Sequence, residues 1–151
     1  MSTRARLSEL GVELPSVAPP AGSYLPAVRT GSLVYTAGQI PLVDGKVVAT
    51  GKVGAEVSAE DAAALARTCA LNALAAVDAL VGIDSVVRVV KVVGFVASAP
   101  GFTGQPAVLN GASDFLAEVF GEAGRHARSA VGVAELPLGV PVEVELVVEV
   151  A

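Results

Sequence analysis

Tryptophan is absent from this chain, and cysteine, histidine and methionine occur once each among 151 residues. The lone Cys69 excludes an internal disulfide framework and fits a reducing, cytoplasmic compartment. Its place in an alanine-rich stretch marks it as a small core residue rather than a nucleophile. His126 lies far from Cys69, and no HExxH or CxxC spacing occurs, so no metal site is expected. A serine-type triad would need a base and a third orienting group, and nothing in the sequence identifies one. Charge is also scarce, at 17% of residues, and it is unbalanced toward acid: 10 Lys and Arg against 15 Asp and Glu, net −5. Phosphate backbones require clustered basic residues. The only local basic group is Arg125, His126 and Arg128, so no nucleic-acid partner is expected. The glycines of GKVG (Gly51–Gly54) lack the spacing of either common phosphate-binding loop.

What remains is apolar. Hydrophobic residues make up 53% of the chain, and the mean hydropathy is +0.66. With aromatics at only 4%, valine and alanine supply most of that surface. Such an excess in one domain of this size points to an oligomer, in which a second apolar sheet face is covered by another subunit. A membrane span is the rival explanation. Its best candidate, Ala62–Val81, contains Arg67, Asn72 and Asp78. A central charge costs about 2.5–3.5 kcal/mol on insertion scales, so no membrane association is expected. The opening MSTRARLSELGVELP has no apolar core of a signal sequence, which speaks against export.

Residues 1–22, broken by Pro15, Pro19, Pro20 and Gly22, are expected to form a loosely attached arm, and 23–151 a single domain. Leu33–Ala37 reads as a strand. Asp44-Gly45 separates Pro41–Val43 from Lys46–Ala49 as a tight hairpin turn does. Ser58 is placed to cap a helix, with Glu60 and Asp61 at its positive end. An apolar stripe from Leu65 to Leu80 continues that helix to Gly82. Asp84–Ala97 is rich in valine and reads as a central strand, with Gly94 marking a bulge or a close approach. Arg88 and Lys91, three apart, leave its register open. Pro106–Gly121 reads as a second helix with its stripe at Leu109, Ala112, Phe115, Leu116 and Val119.

Arg125–Val150 reads as two strands joined by a short turn. The second strand alternates strictly, with Val140, Val142, Val144, Leu146, Val148 and Val150 on one face and Glu143, Glu145 and Glu149 on the other. If the two strands pair with Val131 and Val133 turned to the core, Arg128 shares a face with Glu143 and Glu145. An arginine among carboxylates is either an ordinary cross-strand ion pair, worth about 0.2–1 kcal/mol when exposed, or a grip for a carboxylate ligand. Ala130 and Gly132 leave room beside it, and Glu143 could then hold or deprotonate a water. His126 reads as a solvated or hydrogen-bonded neighbour of the arginines. The order of elements implies an α+β fold, a mixed β-sheet with two helices packed on one face.

YTAGQIP (Tyr35–Pro41), Asn110 and HARSAVGVAELP followed by VEVE resemble the Rid (YjgF) family of reactive-intermediate deaminases, over roughly Tyr24 to Val150. The resemblance implies a chorismate-mutase-like fold, a homotrimer with active sites between subunits, and hydrolysis of imines and enamines such as 2-aminoacrylate and 2-iminobutanoate, without a cofactor. Carried onto this chain, it makes Arg128 the group that grips the substrate carboxylate and Glu143 the one that positions the water. Tyr24 lines the pocket, Asn110 lies near the subunit junction, and Gly38 and Ala130 contribute backbone. Ala37 stands where many members have serine, and Ala130 where many have cysteine. Arg125 and His126 replace a proline-containing approach to the arginine, which marks a divergent subgroup. Three functions follow from these readings: deamination of small 2-imino acids, non-catalytic binding of a small keto acid in the same pocket, and, disfavoured by the acidic charge, endoribonuclease activity.

Overall fold

The computed structural model describes all residues, 1–151. Helix α1 spans Thr3–Glu9. Strands β1 (Ala27–Thr30) and β2 (Leu33–Thr36) lead to a short hairpin, β3 (Leu42–Val43) and β4 (Lys46–Val47). Then come α2 (Ala59–Val81), β5 (Val86–Ala97), α3 (Gln105–Phe120), β6 (Ala127–Val133) and β7 (Val142–Val150). Five strands form one sheet in the order β1-β2-β7-β5-β6, antiparallel except for the parallel pair β5 and β6. Helices α2 and α3 cover one face of it, the expected mixed sheet with two helices on one side.

Local sequence explains most of these elements. The side chain of Ser58 accepts a hydrogen bond from the Asp61 amide at 3.0 Å, and Gly82 ends α2 at φ 80°. Asp44 and Gly45 both hold positive φ, 52° and 75°, the conformation a two-residue hairpin turn requires. On β7 every second residue from Val142 to Val150 is buried beneath the helices, and the residues between face outward. The predicted stripe of α3 is buried in full. Helix α2 is long and apolar enough to cross a bilayer, and most of its buried residues, from Ala62 to Val77, belong to the core shared with β5, α3 and β7.

Gly94 marks a close approach rather than a bulge. A Cβ there would overlap the side chain of Leu109 on α3, itself fully buried. The irregularities of β5 fall earlier, between Val86 and Arg88 and between Val89 and Lys91. They account for two charged residues three apart on one strand.

Two expectations are corrected. Residues 3–9 are not a loose arm. Ser2 caps α1, Leu7 is 3% exposed within the main core, and Arg4 meets Asp78 at 2.6 Å while its amide donates to Asp84. Nor do β6 and β7 form a hairpin. Helix α3 carries the chain from β5 back to a parallel neighbour, β6, as parallel pairing requires. Strand β7 then takes the opposite edge of β5. The link between β6 and β7 passes through a 3-10 turn at Pro137–Gly139, with Leu138 at φ 58°, and is no tight hairpin. Val131 accordingly faces away from the helices, 44% exposed.

The Gly94–Leu109 contact gives a direct test of this packing. Gly94→Ala is expected to cost about 1–3 kcal/mol by overpacking. In a double-mutant cycle with Leu109→Ala the two losses should not add, because the smaller residue vacates the space that the new methyl needs. Urea unfolding of the four proteins measures the coupling, and additive losses would refute the contact.

Candidate functional site

Strand β2 pairs with β7 only as far as Tyr35 opposite Val147, and contact resumes as a bridge between Gln39 and Val144. Three residues on one side, Thr36–Gly38, thus lie opposite two on the other, Glu145 and Leu146, as in a bulge. Thr36 fills the gap in the ladder, its hydroxyl accepting from the Leu146 amide at 2.9 Å. Gln39 exchanges backbone bonds with Val144 at 2.8 and 3.0 Å. From α2, the Asn72 amide donates to the carbonyls of Ile40 and Leu42, both at 3.1 Å, so the loop is tied down on both sides.

The result is to press Gly38 against Glu143. A Cβ at position 38 would overlap the Glu143 carboxyl and oblige it to move, so glycine here lets the backbone lie close against this acid. Half-buried, Glu143 has its carboxyl pushed above the ordinary value of 4.5, first by burial and then by the charge of Glu145 two residues on. Tyr24, half-exposed, lies on the other side of the loop. Its hydroxyl accepts from the Ala21 amide at 3.2 Å, and with Pro19, Pro20, Gly38 and Gln39 it lines a cavity of about 60 Å³. Ala37 lends only its amide, which donates to the Pro26 carbonyl at 2.8 Å.

Arg128 stands elsewhere. It pairs with Val92, which pairs in turn with Leu146, so its side chain rises on the helix-covered face. There Nη1 donates to Asn110 Oδ1 at 2.8 Å and to Ser113 Oγ at 3.1 Å, and Nη2 donates to the Pro106 carbonyl at 3.3 Å. All three acceptors belong to α3 and none carries charge. Arg128 forms no ion pair within the chain. The cross-strand ion pair is therefore not what this arginine does. Three of its five donors are used, leaving Nε–H and one Nη2–H without a partner in the chain, beside a cavity of about 460 Å³. Ala130, one step along the same face of β6, packs partly buried against the core.

The site residues thus fall into two groups. Arg128, Asn110 and Ala130 lie on the helix side of the sheet edge, and Tyr24, Gly38 and Glu143 gather where the bulged loop meets β7. Glu143 pairs with Phe95, which pairs in turn with Val131, and Glu145 with Val93, which pairs with Ser129. Both glutamates face away from Arg128, and the expectation that they share its face is corrected. Sequence reasoning missed Ser113. The available signal was its spacing of three from Asn110, which puts both on one face of α3. His126 is hydrogen-bonded, as expected, to Ser113 and to the Gly124 carbonyl. Nowhere do three His, Cys, Asp or Glu side chains converge as metal ligands.

Residues 4–150 match the family described as "YjgF/chorismate mutase-like, putative endoribonuclease". Protein TCP17 of Trypanosoma cruzi is 47% identical over 147 residues, covering 96% of this chain and 92% of that protein. A crystal structure from Shewanella oneidensis MR-1, described as a putative endoribonuclease, superposes with a TM-score of 0.95 at 34% identity, over 99% of this chain and 100% of that one. Escherichia coli TdcF, crystallised with bound serine, is more distant: TM-score 0.64 at 25% identity, over 89% and 94% of the two chains.

The raised proton affinity of Glu143 has a consequence for stability. A carboxyl held above its unfolded value contributes stability that is full below about pH 4.5 and is lost as pH rises through the folded value. Glu143→Gln, a permanently neutral isostere, should therefore match the wild type near pH 4 and gain on it toward pH 8. Urea midpoints across that range measure the gap; a gap that does not change with pH would contradict the assignment.

Proposed function

Because the chain belongs to the YjgF/chorismate mutase-like family and holds an arginine without a counter-ion, we propose that it hydrolyses small 2-imino acids and their enamine tautomers to 2-keto acids and ammonia. The uncompensated guanidinium of Arg128 carries this reading. A cation fixed by three neutral acceptors keeps its attraction for a ligand, whereas one already paired with a glutamate would not. Its remaining donors suit the two oxygens of a carboxylate. That TdcF binds serine, an amino acid with its own carboxylate, supports a ligand of this class.

With the carboxylate gripped, the imine carbon is presented in one orientation. Glu143 accepts a proton from the attacking water, and the resulting carbinolamine collapses as nitrogen takes up a proton and leaves as ammonia. The sequence consists of addition, proton transfer and elimination, and involves no change of oxidation state. A raised proton affinity suits Glu143 to both halves of that cycle, as base toward water and as acid toward nitrogen.

Arg128 and Glu143 lie on opposite faces of one chain's sheet, so one substrate meets both only where two copies adjoin. The open sheet face offers surface for that contact, with Val28 at 50%, Tyr35 at 47% and Val131 at 44% exposure. A homotrimer with sites between subunits, as the family resemblance implies, would complete each site with Arg128, Asn110 and Ala130 from one copy and Glu143, Gly38 and Tyr24 from the next. The cytoplasm, where free amino acids are processed, is the compartment that fits.

The test is imine hydrolysis by the purified protein. An amino-acid oxidase generates imines from a panel of amino acids, and semicarbazide traps whatever escapes hydrolysis. Wild type should suppress trapping. Arg128→Ala should raise KM, and Glu143→Gln should lower kcat by about 10²–10⁴-fold, the usual contribution of a general base. A wild type inert on every imine, or an Arg128→Ala variant as active as wild type, would sink the proposal. Should the protein be inert yet show an Arg128-dependent thermal shift with 2-ketobutyrate, the pocket binds without turnover. RNA cleavage that tracks Arg128 would instead favour the endoribonuclease description.

A further inference from the structure

Beyond the grip itself, the structure holds a hydrogen-bonded chain leading away from it. Ser113 Oγ lies 3.1 Å from Arg128 Nη1 and 2.9 Å from His126 Nε2, and His126 Nδ1 lies 2.6 Å from the Gly124 carbonyl oxygen. The direction of each bond can be worked out. A carbonyl only accepts, so His126 Nδ1 carries a proton and donates it to Gly124. In a neutral ring Nε2 then bears a lone pair and must accept. The one proton that Ser113 can offer therefore points at Nε2, and its oxygen is turned to receive Arg128. A doubly protonated ring would satisfy the same distances, but it would aim two N–H donors at one oxygen and set a second cation beside the guanidinium.

All bonds thus run one way, from Arg128 through Ser113 and His126 to Gly124, the arrangement in which successive hydrogen bonds polarise one another. The far end is anchored. Gly124 is buried in the 3-10 turn that follows α3, and a Cβ there would overlap the Leu116 carbonyl. The chain therefore ties the orientation of Arg128 to a fixed point of the backbone. Asn110 holds the same Nη1 from the other side at 2.8 Å.

We propose that Ser113 and His126 are positioning residues, a relay that fixes the Arg128 guanidinium with its Nε–H and Nη2–H directed to the ligand. The inference rests on the reading of Arg128 as a carboxylate grip, and neither residue needs to touch substrate. It gives a role to the only histidine in the chain. Arginine loses little entropy on binding only if its planar head is already oriented. Without the relay, Nη1 keeps one partner in place of two, and only Asn110 and the long bond to the Pro106 carbonyl restrain the head.

A chain with one histidine allows a direct test by NMR. Long-range ¹H–¹⁵N spectra of the wild type at pH 7.5 should show a single imidazole in the Nδ1–H tautomer, with Nε2 as a hydrogen-bonded acceptor. The Arg128 Nε–H signal, assigned by its loss in Arg128→Lys, should be sharp. In Ser113→Ala and His126→Phe it should broaden. In Ser113→Thr and His126→Gln, which keep the hydroxyl and the acceptor, it should persist. Affinity for 2-ketobutyrate should fall roughly threefold to tenfold in the first pair, the effect of one hydrogen bond, and much less in the second. Melting temperatures separate this from simple unfolding. An Nε2–H or doubly protonated ring, or an Arg128 signal indifferent to Ser113→Ala, would overturn the relay. If 2-ketobutyrate fails to bind even the wild type, the imine reading loses its support, while the spectra still decide whether the relay exists.

Discussion

The parallel pairing of β5 with β6 is the constraint from which the site takes its shape. A parallel neighbour cannot be reached by a turn, so the chain crosses over through α3. That crossover lays Asn110 and Ser113 above the edge strand that carries Arg128. It also forces the last strand, β7, to the other side of β5, and there β7 meets the bulged loop at Gly38. One topological fact thus provides the arginine with its neutral acceptors and keeps it away from every glutamate. A hairpin of β6 with β7 would have done the reverse and buried the charge in an ion pair.

The electrostatics of the two groups follow from that separation. Neutral acceptors on α3 hold a guanidinium in place while leaving its charge available to an incoming anion. Glu143 is half-buried beside Gly38 and shares its face with Glu145, and both circumstances favour the protonated form. Had the two groups formed a direct ion pair, as a β6–β7 hairpin would impose, each would have quenched the property that makes the other useful: the arginine its free charge, the glutamate its readiness to take up a proton.

Legibility in the sequence tracked how local each cause was. The Ser58 cap, the Asp44-Gly45 turn, the α3 stripe and the alternation of β7 depend on neighbours within a few residues, and the structure bears all four out. Gly94 was legible as an exception, though only the fold shows that Leu109 is what approaches it. The partner of β6 was not legible from alternation, since period two fixes a face but not a neighbour. Pairing of apolar faces predicts Val131 and Val133 in the core, yet on this strand the helix-side positions belong to Arg128 and Ala130. The overlooked signal was the succession β5, α3, β6, a strand–helix–strand order that calls for parallel pairing. Arg128 and Glu143 stand out from strand alternation and from the resemblance alike, but the shared face that alternation implies for them is not found. Ser113 went unseen because its importance arises from two contacts distant in sequence.

If the imine reading holds, dividing the site between the two faces makes assembly part of catalysis. A lone chain would present an arginine able to attract a carboxylate and, on the far side of the sheet, a glutamate able to activate water, with no substrate in reach of both. Association would then be the step that creates the active site, and the valine-rich open face would serve catalysis as well as stability. The apolar excess in the composition has a place in this account. Residues such as Val28, Tyr35 and Val131 contribute little to the core of one chain, but in a trimer of this kind their open face would be available to a neighbouring copy.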